Sequence, residues 1–247
     1  MSSNILDALR GAYGCDFKFH QENLLMLGWY ARRVAQSFRA AGHSSLMSLG
    51  IGHQVVSRAL PRELEDRLRR YLIVEGSQAI VDDFVAAAPL PPSTEVVQSW
   101  FESFETSEEF DAIEMGFVLE HVDDPREVIQ RFRRFVRPGG TLFVAVPNAR
   151  SLHRRVGQLA GLLDDLYRLS PQDRELGHQR YFDLPMLTGL VSAAGFSVVK
   201  SEGIMLKPVT TSQLESLALP PRVIEAFFEV GVAHPDLCNA ILLEATH

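Results

Sequence analysis

Ser45-Leu46-Met47-Ser48-Leu49-Gly50-Ile51-Gly52 decides how this chain folds. A short apolar run that ends on Gly-x-Gly reads as a buried strand entering a glycine turn. Residues 55–69 beyond it read as a helix, interrupted or kinked at Pro61. Glycines at such a handover let backbone approach a ligand, and the N–H groups of the helix start point toward it. Taken alone, an ordinary glycine turn explains the motif as well.

Working outward, residues 71–74 form a second apolar run that stops at Glu75, 25 positions after Gly50. Residues 78–88 read as a helix closed by Pro89-Leu90-Pro91-Pro92, and residues 95–97 and 110–115 as two further strands. Residues 124–135 read as a helix stopped by Pro138-Gly139-Gly140, and the β-branched, alternating run 141–146 as a fifth strand. A long polar and helical stretch, 148–175, precedes a helix at 184–194 and a terminal strand pair at 196–200 and 237–245. Upstream, residues 4–41 read as helical, broken near Gly11 and Gly14. Strands that alternate with helices predict an α/β, doubly wound, mostly parallel sheet of seven strands, with the last two forming an antiparallel edge. Residues 1–42 are expected to form a helical cap or lid, and residues 43–247 the main domain, with a substrate-side insertion at about 148–183.

Composition narrows the function. The 247 residues are 46% hydrophobic, enough for a large core without covalent staples, and carry a formal net charge of −7. That charge disfavours a nucleic-acid partner. The basic groups Arg131, Arg133, Arg134, Arg137 and the pair Arg154, Arg155 read as a solvated face or a small anion site. Cys15 and Cys238 are too few and too far apart for a disulfide framework, so a reduced, cytoplasmic setting is expected. No signal peptide or membrane-spanning run stands out, and no Cys/His spacing suggests a metal. A small-molecule acceptor is the expected partner, without membrane insertion, and a homodimer is among the compatible assemblies.

The glycine turn and Glu75 are spaced for a ribose-containing cofactor, in which a carboxylate accepts from the sugar hydroxyls. The stretch Gly50-Ile51-Gly52-His53-Gln54-Val55 lacks a third glycine, which argues against a dinucleotide. Downstream come Phe110-Asp111-Ala112-Ile113, Val118-Leu119-Glu120-His121-Val122, Arg137-Pro138-Gly139-Gly140-Thr141-Leu142 and Val146-Pro147-Asn148. The series closely resembles class I S-adenosylmethionine (SAM) dependent methyltransferases, in the branch holding ubiquinone-type O-methyltransferases and many sugar and antibiotic methyltransferases. The resemblance covers residues 46–148 well and the final strands more loosely.

The resemblance implies a Rossmann-like domain with SAM as methyl donor and S-adenosylhomocysteine (SAH) as product. It implies that Gly50 and Gly52 pack beneath the methionine and ribose of SAM and that Glu75 holds the ribose hydroxyls. Ser77 and Gln78 would flank the adenine. Met115, Gly116 and Phe117 would line the methionine and sulfonium side. Three positions depart from the pattern. The usual acidic residue two before the first glycine is Ser48, Gln54 replaces a frequent glycine, and the usual Asp after the third strand is missing. Trp100 or Phe101 is expected to stack near the adenine, with Glu102 supplying polarity, although both aromatics are equally explicable as core.

Catalytic candidates are sought on the loops after the strands. His121 follows the fourth strand. Asp173 and His178 lie in Asp173-Arg174-Glu175-Leu176-Gly177-His178-Gln179-Arg180-Tyr181, a run similar to substrate segments of related enzymes. His178 is the expected proton acceptor, oriented by Asp173, and Arg180 and Tyr181 are expected to touch the acceptor. Tyr13 and Phe17 read as part of a cover over the pocket. The leading expectation is methyl transfer to O or N of a small sugar-containing or secondary-metabolite substrate. A methyltransferase of a lipid-linked or cell-surface glycan, and a non-catalytic SAM-fold binding protein, remain as alternatives.

Overall fold

The computed structural model describes residues 17–247, so Tyr13 and Cys15 lie outside the described residues. Helix α1, His20–Ala40, leads into strand β1, Ser45–Leu49. There follow α2 (Val55–Leu64), β2 (Arg70–Glu75), α3 (Gln78–Ala87), β3 (Thr94–Gln98), β4 (Phe110–Gly116), α4 (Pro125–Arg133) and β5 (Val136–Pro147). The remainder comprises α5 (Leu152–Leu159), α6 (Pro171–Glu175), α7 (Leu184–Ala193), β6 (Ser197–Ile204), α8 (Thr211–Ser216), α9 (Pro221–Gly231) and β7 (Ala240–Thr246).

The seven strands form one sheet in the order β3-β2-β1-β4-β5-β7-β6. The first five pair in parallel, and β7 runs antiparallel to both β5 and β6. The expected antiparallel edge is present: β6 and β7 pair antiparallel there, with β7 the one reversed strand, lying between β5 and the edge strand β6. The long segment 205–239, which holds α8 and α9 unread in the sequence, carries the chain back so that β7 can insert.

Alternation along the strands builds a core on each face. Met47, Leu49, Leu72, Val74, Leu142 and Val144 pack with Ile129 and Phe132 of α4 and Leu187 and Val191 of α7. Leu46, Tyr71, Ile73, Phe143 and Ala145 face the other way, onto Tyr30, Val34 and Phe38 of α1, Leu60 of α2 and Phe84 of α3. Helix starts are capped by side chains: Ser77 accepts from Ile80 N–H, Asp124 from Arg126 and Glu127, and Asp183 from Met186. Pro61 lies inside α2, which ends three residues later and passes into a 3-10 turn, Glu65–Arg67. Pro138-Gly139-Gly140 does not simply stop a helix. It is the bulged beginning of β5, where the pairing with β4 shifts register between Phe110 and Ala112.

The strand order reverses between β1 and β4, and a doubly wound sheet opens a crevice at the carboxyl ends of its strands at such a point. Among the described residues no helix is long and apolar enough to cross a membrane.

Candidate active site

The β1–α2 turn is built for close approach. Gly50 has φ +80° and Gly52 φ +47°, and Gly50 N–H donates to Val74 O at 2.8 Å, tying the turn to β2. Glu75 ends β2 and is 7% exposed. Its carboxylate accepts from Ile51 N–H at 2.8 Å and Ser77 N–H at 2.9 Å. Burial pushes its pKa up, and those backbone donors work against the shift. The side chain therefore sits fixed at the lip of the crevice, between the glycine turn and the start of α3.

A cavity of about 570 Å³ runs from this lip across the switch point, within the roughly 300–1,000 Å³ of ligand pockets. Gly50, Gly52, Glu75, Trp100, Phe101, Glu102, Gly116 and Phe117 all line it. Phe117 holds φ +60°, a costly conformation for a bulky residue, at the turn where β4 gives way to the cavity wall. Gly116 admits no side chain, because a Cβ there would fall 2.2 Å from Tyr30 Cε1 and 2.5 Å from Glu114 Oε1. The N-terminal end of α1 closes the roof through Phe17, Phe19, Asn23, Met26 and Leu27, and Asn23 Nδ2 meets His53 Nε2 at 3.2 Å.

Four expected site residues lie outside the cavity lining. Met115 is fully buried in the core, because alternation along β4 turns it into the face opposite Glu114. Ser77 spends its hydroxyl capping α3, and Gln78, one residue into that helix, is exposed and bonds Asp82. Arg180 donates instead to the carbonyls of Val122 and Asp123, so it clamps the loop after β4. The arginine group divides as well. Arg131 and Arg134 pair with Glu105, and Arg137 with Asp111, on the outside, whereas Arg154 lines the cavity with its guanidinium 4.3 Å from the Tyr181 ring centroid.

The loop after β4 and the segment after α6 converge. Gln179 N–H donates to Glu120 O at 2.8 Å, and the rings of His121 and His178 meet edge to face with centroids 4.8 Å apart. Asp173 accepts from Tyr181 Oη at 3.0 Å and from Ser170 N–H at 2.7 Å. Its Oδ1 lies 3.4 Å from His178 Nδ1, an electrostatic contact without hydrogen-bond alignment. Burial raises the Asp173 pKa, but His178 and Ser170 outweigh it and hold the group down at about 2. Burial pushes the His121 imidazole down to about 3, so it stays neutral.

Glu120 completes this group. It is fully buried, neither carboxylate oxygen has a hydrogen-bond partner, and burial pushes its pKa up to about 7. Glu120, His121 and His178 each offer a ligand atom, and all three atoms lie within 4.8 Å of one another. Sequence reasoning, which expected no metal, passed over Glu120 although it stands inside the quoted Leu-Glu-His run. Its adjacency to His121 was the available signal. Beyond Tyr181 the cavity is lined by His153, Arg154, Lys207, Thr211 and Asn239. Lys207 Nζ is 2.7 Å from Glu22 Oε1 of α1, and Asn239 Nδ2 is 3.1 Å from the same oxygen. No local motif marked Lys207 or Asn239, since only the return of the chain through β7 brings them here.

The site suits SAM by its chemistry: a glycine cradle, a carboxylate at the end of β2, aromatic walls, and buried carboxylates of the kind a cationic ligand would neutralise. Comparison with known proteins agrees. The ubiquinone biosynthesis O-methyltransferase of Colwellia psychrerythraea is 30% identical over 101 residues, 41% of this chain and 40% of that protein. The mitochondrial ubiquinone biosynthesis O-methyltransferase of Dictyostelium discoideum is 36% identical over 145 residues, 59% of this chain and 35% of that protein. The chain thus aligns with well under half the length of these curated relatives. Among solved structures, the plantazolicin methyltransferase BpumL in complex with SAH superposes with a TM-score of 0.62 at 11% identity, covering 99% of this chain and 96% of that one. The sequence profile of a family described as a methyltransferase domain matches residues 21–201. By that match, and with a sheet of the same architecture as SAM-dependent methyltransferases, this chain belongs to the methyltransferase-domain family.

Proposed function

We propose that the protein transfers the methyl group of SAM to an oxygen or nitrogen of a small polar acceptor, of the sugar-containing or secondary-metabolite kind. One observation carries this reading. A single cavity joins the glycine turn and Glu75 at one end to Asp173, His178, Tyr181 and His153 at the other. A methyl donor laid along the first end presents its sulfonium toward the second, and alignment of donor and acceptor supplies much of the rate in an in-line displacement. The acceptor end is rich in side chains that hydrogen-bond, which suits a hydroxylated or aminated molecule better than an apolar one. In this reading Gly50, Gly52, Glu75, Trp100, Phe101, Glu102, Gly116 and Phe117 serve the cofactor. His178 and Glu120 are placed to take the acceptor proton, and Phe17 and Tyr181 to touch the acceptor.

The test is methyl transfer from labelled SAM to a panel of hydroxylated and aminated small molecules, beside calorimetry with SAM, SAH and NAD. Binding of SAM and SAH in the micromolar range, with transfer to a panel member, supports the reading. NAD binding tighter than both overturns it. Tight SAH binding with no transfer to any acceptor favours the non-catalytic alternative, and transfer only to lipid-linked or polymeric glycans favours the other.

The unpartnered Glu120 carboxylate favours a second reading of the acceptor end, in which Glu120, His121 and His178 hold a divalent cation. Such an ion would supply charge that draws and orients an acceptor oxygen. Activity lost on dialysis against a chelator and restored by Mg²⁺ or Zn²⁺ supports the cation, and activity indifferent to chelation supports proton transfer by the side chains alone.

A further inference from the structure

We propose that Glu114 is the residue that holds the α-ammonium group of the SAM amino-acid tail. The assignment rests on the reading of the cavity as a SAM site and goes beyond it, because the carboxylate comes from a strand where the sequence pattern gives no reason to look for it.

Ser48, two residues before Gly50, brings no charge; its hydroxyl meets Tyr71 Oη at 2.9 Å and also hydrogen-bonds the Glu114 carboxyl. The strands on either side each bring a carboxylate to this end of the sheet, Glu75 one residue past the Leu49–Val74 pair and Glu114 two positions lower. Glu75 ends β2, and Glu114 on β4 stands in register beside Ser48. A cofactor draped over the Gly50 turn therefore has one carboxylate on each flank. SAM carries its ribose hydroxyls toward one end and its ammonium toward the other, and Glu75 on the β2 side accounts for the ribose. The opposite flank, on β4, is where the amino-acid tail falls.

The other buried carboxylates of the cavity are occupied or elsewhere. Glu22 is paired with Lys207, Asp173 is hydrogen-bonded by Tyr181 and Ser170, and Glu120 lies past Phe117 beside His178. Glu114 lines the cavity, is 2% exposed, and accepts at Oε1 from Gly116 N–H at 2.6 Å. The groups that face it are Ser48 of β1, Tyr30 of α1, Tyr71 of β2 and the Gly116 backbone, all uncharged. A buried carboxylate without a cationic partner is costly to keep ionised, and burial accordingly pushes this one up to about 7. A ligand ammonium supplies the charge that the protein leaves out. Gly116, with no room for a Cβ beside Glu114 Oε1, keeps the backbone low enough for the tail to reach it.

The experiment compares two ligands by calorimetry. SAH carries the amino-acid tail, and 5′-methylthioadenosine has the same adenosine and a thioether but no tail. Glu114→Gln keeps the shape of the side chain and an oxygen for Gly116 N–H. We expect it to weaken SAH by about tenfold or more, the usual scale for a hydrogen bond to a charged group. Binding of 5′-methylthioadenosine should change less than about twofold, while Glu75→Gln weakens both ligands. Equal loss for both ligands in Glu114→Gln, or no loss for either, overturns the assignment while leaving the SAM site in place. A wild-type protein that binds neither ligand overturns the SAM reading, and this assignment with it.

Discussion

His121 and His178 meet edge to face with ring centroids 4.8 Å apart, the first following β4 and the second lying beyond β5 and α6. The Gln179 N–H bond to Glu120 O and the Arg180 clamp on the Val122 and Asp123 carbonyls lock the two loops together. Of the two imidazoles, His121 is held neutral by burial, with its pKa at about 3. A group that weak in basicity is poorly matched to proton abstraction near neutral pH. The proposed proton acceptor is therefore His178, whose Nδ1 lies 3.4 Å from Asp173 Oδ1.

His178→Ala should therefore lower kcat by about 10²- to 10⁴-fold, the range for a general base, with SAM affinity nearly unchanged. Steady-state kinetics and calorimetry on the same preparation check it. A rise in KM with kcat intact would reassign His178 to acceptor binding, and near wild-type values of both would remove it from the chemistry.

Glu75→Ala should weaken SAM by about 1.5–3 kcal/mol per lost hydrogen bond to the charged acceptor. The side chain also holds Ile51 N–H and Ser77 N–H, so thermal unfolding must be followed in parallel. Unchanged SAM affinity in a folded variant would show that the ribose is held elsewhere.

Gly116→Ala introduces a methyl group that meets Tyr30 Cε1 at 2.2 Å and Tyr30 Cζ at 2.7 Å. Overpacking of this kind costs about 1–3 kcal/mol, and the displaced ring belongs to α1, which roofs the cavity. Denaturant unfolding should show the loss of stability and calorimetry a weaker SAH complex. A variant as stable as wild type would mean that α1 yields freely.

Glu114 gives ligand-free stability a pH dependence of known sign. Its carboxyl titrates at about 7 in the folded chain, against about 4.3 when unfolded. The folded state thus binds the extra proton between those values, and stability contributed by the protonated form is lost as pH rises from about 4.3 through about 7. The fall in melting temperature between about pH 5 and pH 8 should be smaller in Glu114→Gln than in wild type. Parallel curves for the two proteins would place the Glu114 pKa near its ordinary value.

The local signals in the sequence reached far. Ser45–Leu49 is a strand with the predicted bounds, and Glu75 ends the next strand as expected, because apolar runs and glycine turns are set by neighbouring residues. The same holds for the Gly50 turn and for α4 with its Asp124 cap. These fix the layer architecture and half of the candidate site. Tertiary structure decided the rest, since proximity between distant segments has no local signature. The insertion of β7 between β5 and β6 depends on how residues 205–239 travel back. Which of the two alternating faces of β4 opens onto the cavity depends on what packs against the sheet, which is why Met115 lies in the core while Glu114 lines the cavity. Arg180 is a clamp rather than a ligand because the carbonyls it satisfies come from another loop. The buried groups Glu114, Glu120 and Lys207 take their character from desolvation, a property of the folded environment that the sequence around each residue does not carry.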